Sequence, residues 1–252
     1  MHARLPDYVV CRVRRGAPLD CRVVPGSTPG LSFGNARSAT TATLGLNPSR
    51  REFLDDNGAE LTGSSRRLAT LQSLGLEDVS RASEDAIRQV VEDCSAYFQR
   101  NPYRRWFDQL EGVLRATGAS YYDLSACHLD LVQWATDPTW RRLPLCTRER
   151  LLEPDGAFLL QQLRNERIRL LLVNGMTPMK QLVRLASLRL VEQHPLSACS
   201  YRPTRLFVGD VFDRILVVGW STNLQSSFGV TNELRGRLAE RVADIVARRH
   251  VP

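Results

Sequence analysis

Two uninterrupted runs of apolar residues constrain the fold of this chain more than any other feature of its sequence. Residues 169–173 and 214–218 each place four consecutive apolar residues after an arginine. A strand that is buried on both faces of a parallel sheet has this composition, whereas a strand with one solvated face alternates apolar and polar residues. The two runs therefore predict central strands of a sheet that is covered on both sides.

Segments with helical spacing separate the predicted strands. In residues 103–116, for example, Trp106, Phe107, Leu110 and Leu114 recur at the spacing of a helix that buries this stripe. Strands that alternate with helices form a mainly parallel sheet with helices on both faces. We therefore expect an α/β protein, a three-layer α/β/α sandwich with a central, mainly parallel four-stranded sheet. The other predicted elements are strands at 42–44 and 121–124 and helices at 84–98, 148–164 and 231–248.

The first forty residues differ in composition from the rest of the chain. Residues 8–13 and 21–24 are short runs typical of strands, and residues 25–38 are rich in glycine, serine and proline, as loops are. No linker interrupts the sequence after them. We therefore expect an N-terminal extension over residues 1–40, whose role the sequence leaves open, and one α/β domain over residues 41–252.

Positive charge points to an anionic partner. The chain has 34 lysines and arginines against 27 acidic residues, a net charge of +7, and every basic residue except Lys180 is an arginine. The arginine guanidinium forms two parallel hydrogen bonds to a phosphate, so DNA is an expected partner. A basic surface that only keeps the protein in solution is the alternative.

The cysteines give no sign of a metal centre. The six cysteines are scattered, without a Cys-x-x-Cys pair or a cysteine–histidine cluster at zinc-ligand spacing. The sequence also begins without an apolar signal region and has no apolar run long enough to cross a bilayer. We therefore expect free thiols, no metal or organic cofactor, no membrane partner and a cytoplasmic location.

Four polar or aromatic segments follow predicted strands, where open α/β sheets bind their ligands. In the first segment Gly45 allows a tight exit from the strand, Pro48 stiffens the turn, and Asn47 projects from it. The Asn47 amide can hold a water through its carbonyl oxygen but is not a strong base, so chemistry there depends on positioning and electrostatic stabilisation. An Asx turn or a helix cap is the alternative. The segments are residues 45–53, 125–134, 174–180 and 219–229.

Two of these segments carry a family resemblance. The stretch Gly45, Leu46, Asn47, Pro48 and Ser49 resembles the first active-site motif of the uracil-DNA glycosylase superfamily, nearest its mismatch-specific branch. A second stretch follows the last predicted strand, where that superfamily has its second motif, and the resemblance extends over residues 40–248. The second stretch comprises Trp220, Ser221, Thr222, Asn223, Leu224 and Gln225.

The resemblance implies a uracil-DNA glycosylase-like fold and a role for each stretch. Asn47 would position the hydrolytic water beneath the anomeric carbon while the sugar develops oxocarbenium character. Residues 221–223, with Trp220 and Gln225 beside them, would contact the phosphates that flank a flipped nucleotide. Leu224 would fill the gap that base flipping leaves in the stack, which costs a few kcal/mol to open.

Two departures from the superfamily pattern bear on the substrate. Trp220 stands where many members have a histidine or asparagine that assists the leaving group, and indole offers a single N–H donor. The asparagine that many members use to read uracil has no evident counterpart in residues 125–130. These departures indicate a base other than uracil. A modified pyrimidine, such as a phage-type modified cytosine, would make the protein an antiviral defence enzyme rather than a DNA repair enzyme.

The remaining candidates have both a functional and a structural interpretation. His128 and Asp130 could contact a base edge, although a structural histidine fits the sequence equally well. Phe53 could stack on the flipped base or belong to the core, and Asn174 could line the pocket or cap the next helix. The expected base pocket comprises Gly45, Leu46, Pro48, Ser49, Phe53, Cys127, His128, Asp130 and Asn174.

Charged residues near the first motif are also open to two interpretations. Arg50, Arg51 and Lys180 are expected phosphate contacts, or else exposed charges. Glu52 and the acidic residues 55–56 follow the motif closely, so one of them could be the true acid or base, or all could be solvated.

We therefore predict a monofunctional, monomeric DNA glycosylase that flips a damaged or modified base and hydrolyses its N-glycosidic bond, leaving an abasic site. The alternative is a catalytically silent DNA-binding protein on the same fold, which Trp220 and the divergent second stretch favour. A third interpretation, an unrelated α/β enzyme acting on nucleotides or sugars, lacks the familiar glycine-rich and nucleophile-elbow patterns.

Overall fold

The structure, a computed structural model, describes residues 4–196, 203–225 and 229–249. The chain forms two compact units, each built from separate stretches of sequence. Unit 1 contains residues 4–34, 46–102 and 130–162, and unit 2 contains residues 35–45, 103–129 and the described residues from 163 onward.

Unit 2 contains a six-stranded sheet. Its strands are β1 (Thr41–Gly45), β2 (Ala126–Asp130, whose last residue counts with unit 1), β3 (Leu170–Asn174), β4 (Val191–Glu192), β5 (Leu206–Val211) and β6 (Ile215–Trp220). Their order is β2-β1-β3-β6-β5-β4, with β3 parallel to both β1 and β6, and β5 antiparallel to both β6 and β4. The two apolar runs form β3 and β6, which are buried at every residue. The predicted α/β class with buried, parallel central strands is confirmed.

The register brings the carboxyl ends of three strands to one edge of the sheet. Leu44 in β1 lies beside Val173 in β3, and Asn174 at the end of β3 lies beside Trp220 at the end of β6. In open α/β sheets this is the edge at which ligands bind.

The sheet has six strands where the sequence predicted four. The strands that were not predicted are β2, which forms within residues 125–134, and β4 and β5. β5 joins β6 through a tight turn in which Phe212 and Asp213 have φ values of 55° and 54°. Such turns are usually marked by Asn-Gly or Asp-Gly, and Gly209 and Asp210 have low strand propensity. The hairpin therefore carries none of the usual sequence signals.

The strand predicted at 121–124 is wrong, because this segment is a turn that precedes β2. Its two tyrosines have high strand propensity, but Leu124 has a φ of 67° and the Asp123 carboxylate accepts a hydrogen bond from the Ser125 backbone N–H at 2.8 Å. Such side-chain bonds to the backbone favour a turn over a strand.

The helices of unit 2 are α4 (Arg104–Ala116), α6 (Met176–Ala186) and α7 (Asn232–Arg248). α4 packs on α7, and the Thr231 side chain caps α7 by accepting a hydrogen bond from the Leu234 N–H at 3.1 Å. In α4 the predicted stripe is buried at Phe107 and Leu110, but Trp106 is 37% exposed. The prediction that Trp106 belongs to the buried stripe is therefore wrong.

The helices of unit 1 are α1 (Asp7–Arg14), α2 (Leu71–Leu74), α3 (Glu84–Ser95) and α5 (Leu145–Asn165), the last ending in unit 2. The strand predicted at 8–13 is wrong: Val9, Arg12 and Val13 are buried at the spacing of a helix face. The short run at 21–24 contributes only an isolated bridge from Val23 to Thr136. Among the described residues, no helix has both the length and the apolar character needed to cross a bilayer.

Candidate functional site

The first motif forms a loop of unit 1 whose centre is Asn47. The half-buried Asn47 side chain directs its amide nitrogen Nδ2 at three acceptors. These are the Pro48 carbonyl at 3.1 Å, the Trp134 carbonyl at 3.2 Å and the Thr136 hydroxyl at 3.1 Å. The Leu46 carbonyl accepts a hydrogen bond from the Val132 N–H at 2.9 Å. The stretch from 132 to 136 therefore holds both the backbone and the side chain of the motif.

These contacts leave the other end of the Asn47 amide available. Its oxygen Oδ1 has no hydrogen-bond partner among the described residues, and it is not among the buried polar atoms that lack one. The reverse orientation of the amide would place Oδ1 against two carbonyl oxygens, which only accept hydrogen bonds. The surroundings thus fix Asn47 as a positioned acceptor for a donor such as water.

A buried ion pair supports the stretch that holds Asn47. The Arg12 guanidinium in α1 donates to Asp155 in α5 at 2.6 Å and to the Gln133 side-chain oxygen at 3.0 Å. Asp155 also accepts a hydrogen bond from the Gln133 backbone N–H at 2.8 Å. Burial lowers the pKa of Arg12 and raises that of Asp155, while the attraction between the two charges opposes both shifts. No pattern in the sequence predicts this ion pair.

The N-terminal residues contribute directly to the same support. The Val24 N–H donates to the Ala135 carbonyl at 2.9 Å, and the Gly30 N–H donates to the Gln133 carbonyl at 2.8 Å. A Cβ atom added at Gly30 would lie 3.3 Å from Cγ of Pro48, so a larger residue would press on the Asn47 loop. Residues 22–30 thus form part of the surroundings of the first motif.

Glu52 is a buried carboxyl group five residues after Asn47. It ends the short 3₁₀ helix Arg50–Glu52, which Ser49 caps by accepting a hydrogen bond from the Arg51 N–H at 3.2 Å. Glu52 is 2% exposed and accepts a hydrogen bond from the Tyr97 hydroxyl at 2.6 Å. Burial raises the pKa of Glu52 to about 7, the Tyr97 bond and the charge of Arg67 oppose that shift, and Asp130 adds to it. Glu52 can therefore change protonation state near neutral pH.

Other predicted residues of the first motif have varied surroundings. Phe53 is 1% exposed, and Pro48 is also buried. Arg50 pairs with Asp137 at 3.1 Å and Arg51 pairs with Asp56 at 2.5 Å, all through partly or largely exposed side chains. Exposed ion pairs of this kind contribute little to stability, so both arginines can exchange their partners for phosphates.

The second motif forms a separate cluster in unit 2, centred on Asn174. The Asn174 oxygen accepts hydrogen bonds from the Trp220 indole N–H at 2.9 Å and from the Leu224 backbone N–H at 3.0 Å. Its amide nitrogen donates to the side-chain oxygens of Asn223 at 2.8 Å and Gln225 at 2.9 Å. Asn174 thus makes four hydrogen bonds to the end of β6 and the loop that follows it, and these bonds fix the conformation of the loop.

The side chains of this loop differ in exposure. Trp220 and Leu224 are fully buried, whereas Asn223 is exposed. The Thr222 hydroxyl lies 2.7 Å from that of Thr204, and the Ser221 hydroxyl accepts a hydrogen bond from the Arg205 N–H at 3.0 Å. A role of Leu224 as a wedge therefore requires it to leave its buried position. Residues 226–228 of the segment lie outside the described residues.

Two of the three predicted pocket residues on β2 belong to unit 2, and the third, Asp130, is buried and counts with unit 1. Cys127 and His128 are buried, and Nδ1 of His128 lies 2.6 Å from the Thr43 hydroxyl, which itself lies 2.5 Å from the Tyr121 hydroxyl. Burial raises the pKa of the Cys127 thiol far above its ordinary range, so this thiol is not a thiolate nucleophile. Lys180 lies exposed on α6.

The described cysteines are free thiols, and no metal-binding group of histidine, cysteine or acidic residues occurs within residues 4–196, 203–225 and 229–249. Cys199 lies outside the described residues. No protein-family model and no curated protein matches the chain. The geometry of the two asparagine sites is consequently the main ground for a function.

Proposed function

We propose that this chain is a monofunctional DNA glycosylase that flips a base out of DNA and hydrolyses its N-glycosidic bond without a metal or an organic cofactor. The observation that carries the proposal is the Asn47 amide, which is anchored through Nδ2 and presents Oδ1 to solvent. A fixed acceptor of this kind is what a hydrolytic water needs for its orientation.

The chemistry assigned to Asn47 is positioning. Oδ1 accepts a hydrogen bond from the water and directs a lone pair of that water at the anomeric carbon as the glycosidic bond breaks. An amide is too weakly basic to remove the proton early, so attack follows the development of an oxocarbenium-like sugar. The rate enhancement then comes from orientation and from electrostatic stabilisation of the departing base.

The fold and the charge are consistent with the proposal. The strands β2-β1-β3-β6 lie next to one another in the sheet, and we assign to them the four-stranded core that the family resemblance implies. The net charge of +7 favours a polyanion. Ser221, Thr222 and Asn223 are assigned to phosphates on the basis of the family resemblance. In unit 1, Arg50 and Arg51 are exposed enough for phosphate contacts of their own.

The proposed substrate is a modified pyrimidine rather than uracil. Residues 125–130, most of which form β2, lack the asparagine that reads uracil in many members of that superfamily, and Cys127 and His128 are buried. A phage-type modified cytosine as substrate would give the protein a role in antiviral defence. The proposal includes a cytoplasmic monomer, as expected from the sequence.

One observation favours a second candidate, a catalytically silent DNA-binding protein. Trp220 occupies the position of the usual leaving-group assistant, but its only donor, the indole N–H, is bound to Asn174. A chain without that assistance could bind DNA and leave every glycosidic bond intact.

A base-excision assay separates the two candidates. End-labelled oligonucleotides with uracil, thymine opposite guanine, hypoxanthine, or hydroxymethylcytosine with and without an attached sugar are incubated with the protein and then cleaved with alkali. We expect strand breaks on one substrate, their loss in Asn47→Ala, and their retention in Asn57→Ala, which changes an exposed asparagine of the same unit. Intact strands throughout, together with salt-dependent DNA binding, would support the silent binding protein.

A further inference from the structure

The first turn of α4 displays an aromatic ring directly after two arginines. Trp106 is 37% exposed, whereas its neighbour Phe107 is 1% exposed. Arg104 and Arg105, which precede it, are both exposed. An amphipathic helix normally turns so large a ring towards its buried face, so the exposure of Trp106 leaves apolar area in contact with water.

Trp106 differs from every other tryptophan of the chain. Trp134, Trp140 and Trp220 are 2%, 6% and 0% exposed. The other large apolar side chains with high exposure, Leu19, Leu145 and Val191, are aliphatic. Trp106 is therefore the one tryptophan ring that a ligand can reach without rearrangement of the core.

The turn that carries Trp106 is tied to the second-motif loop. The Gln225 side-chain nitrogen donates to the Trp106 carbonyl at 3.2 Å, and the Gln225 side-chain oxygen accepts from Asn174 at 2.9 Å. Both bonds lie within unit 2. A ligand that occupies the second-motif loop would therefore lie close to the start of α4.

The charge around Trp106 is mainly positive. The Arg104 guanidinium lies over the Tyr122 ring, 4.5 Å from its centroid, and Arg105 makes no ion pair with any described residue. Arg235 of α7 donates to Gln109 one turn further along α4 at 2.6 Å. The nearest carboxylate on the helix is Asp108, which accepts a hydrogen bond from the Tyr122 hydroxyl. An exposed aromatic ring among positive charges is better suited to bind a nucleic-acid base and its phosphates than to bind an apolar protein surface.

We propose that Trp106 is a stacking platform for an unpaired DNA base, with Arg104 and Arg105 on the adjacent phosphates. This inference rests on the proposed function only for its DNA partner and not for the excision step. Aromatic stacking accepts every base, because each base has a π face. The platform thus binds a strand without reading its sequence and would hold single-stranded DNA beside the second-motif loop.

Tryptophan fluorescence tests the platform directly. The wild-type protein is titrated with single-stranded oligothymidine, and acrylamide quenching first verifies that one tryptophan is accessible. We expect the oligonucleotide to quench the accessible emission, Trp106→Phe to remove that signal with little loss of affinity, and Trp106→Ala to weaken binding about tenfold. The double variant Arg104→Gln/Arg105→Gln should reduce the salt dependence of binding by roughly two phosphate contacts.

The outcomes separate this inference from the proposed function. Wild-type affinity in Trp106→Ala, or undiminished quenching in Trp106→Phe, would overturn the platform even if excision proceeds. Quenching that depends on Trp106 without excision of any base would support the platform and contradict the glycosylase. No binding of DNA by the wild-type protein would contradict both.

Discussion

Asn47 in unit 1 and Asn174 in unit 2 carry the same side chain and use it in opposite ways. Asn47 is half-buried, and its nitrogen is held by three acceptors while its oxygen stays open to solvent. Asn174 is 6% exposed, and both ends of its amide are occupied by the loop after β6. An amide that still has an open acceptor can bind a ligand, whereas a saturated amide holds structure.

The surroundings of the two asparagines also differ in charge. The partners of Asn174 are neutral amides, an indole and a backbone N–H, so none of them titrates in the physiological range. The Asn47 loop instead depends on the Arg12–Asp155 pair through Gln133 and is followed by the buried Glu52. We therefore expect pH and charge substitutions to act on the first motif and to leave the Asn174 cluster nearly unchanged.

The largest effect is expected from the ion pair behind Asn47. Arg12→Leu leaves the Asp155 carboxylate buried without its charge partner, which should cost roughly 3–5 kcal/mol of the free energy of unfolding. The double variant Arg12→Leu/Asp155→Leu removes both charges and should lose less. Urea denaturation of both variants and of Asp155→Leu measures the loss in the free energy of unfolding for each. A loss in the double variant equal to the sum of the two single losses would show that the pair does not couple the two residues.

Asn47 itself should be important for activity and not for stability. Asn47→Ala removes the water acceptor, and we expect excision to fall by about 100- to 1000-fold, as when one preorganised polar group is lost from an active site. The free energy of unfolding should change by only about 1 kcal/mol, the net contribution of an ordinary hydrogen bond, because Asn47 is half-buried. Single-turnover excision and urea denaturation provide the two measurements. A large loss of stability would make Asn47 a structural residue like Asn174.

Asn174 should show the reverse behaviour. Asn174→Ala leaves the buried Trp220 indole and the Leu224 backbone N–H without an acceptor, which should cost roughly 2–3 kcal/mol of the free energy of unfolding. Urea denaturation next to the exposed control Asn57→Ala measures the loss. Unchanged stability would remove the distinction between the two asparagines.

The sequence identifies Asn47 and Asn174 as candidate site residues, but it does not predict how their hydrogen bonds differ. Gly45 and Pro48 mark a turn, and the apolar run before Asn174 marks a strand end, because these signals are local. Two of the three partners of Asn47, the Trp134 carbonyl and the Thr136 hydroxyl, are distant in the sequence. A backbone carbonyl has no side-chain signature, so no pattern of residues could reveal it.

The same limit explains the errors at the N-terminus and in the sheet. Residues 8–13 have the β-branched composition of a strand, but they form α1, which buries Val9, Arg12 and Val13 on one face and pairs Arg12 with the distant Asp155. The hairpin between β5 and β6 turns at Phe212 and Asp213, which are unusual in that position. By contrast, the buried central strands and the capped helix α7 were predicted correctly, because a continuous apolar run or a regular apolar stripe requires no knowledge of distant partners.

The smallest of these effects concerns Glu52 and the pH dependence of the first motif. Because burial raises the folded-state pKa of Glu52 to about 7 from its ordinary value of 4.5, the folded protein keeps this proton to a higher pH than the unfolded chain does. The stabilising contribution of the protonated carboxyl is therefore complete below about pH 4.5 and is lost as the pH rises towards 7. Between pH 5 and pH 8 we expect a loss of roughly 2 kcal/mol in the free energy of unfolding.

Glu52→Gln keeps an acceptor for the Tyr97 hydroxyl and has no proton to lose, so its free energy of unfolding should vary less over this pH range. Urea denaturation at several pH values compares Glu52→Gln with the wild type. Parallel curves of unfolding free energy against pH would show that groups other than Glu52 cause the pH dependence. Asn174→Ala, compared with wild type in the same series, should keep the full pH dependence, since its cluster contains no titrating group.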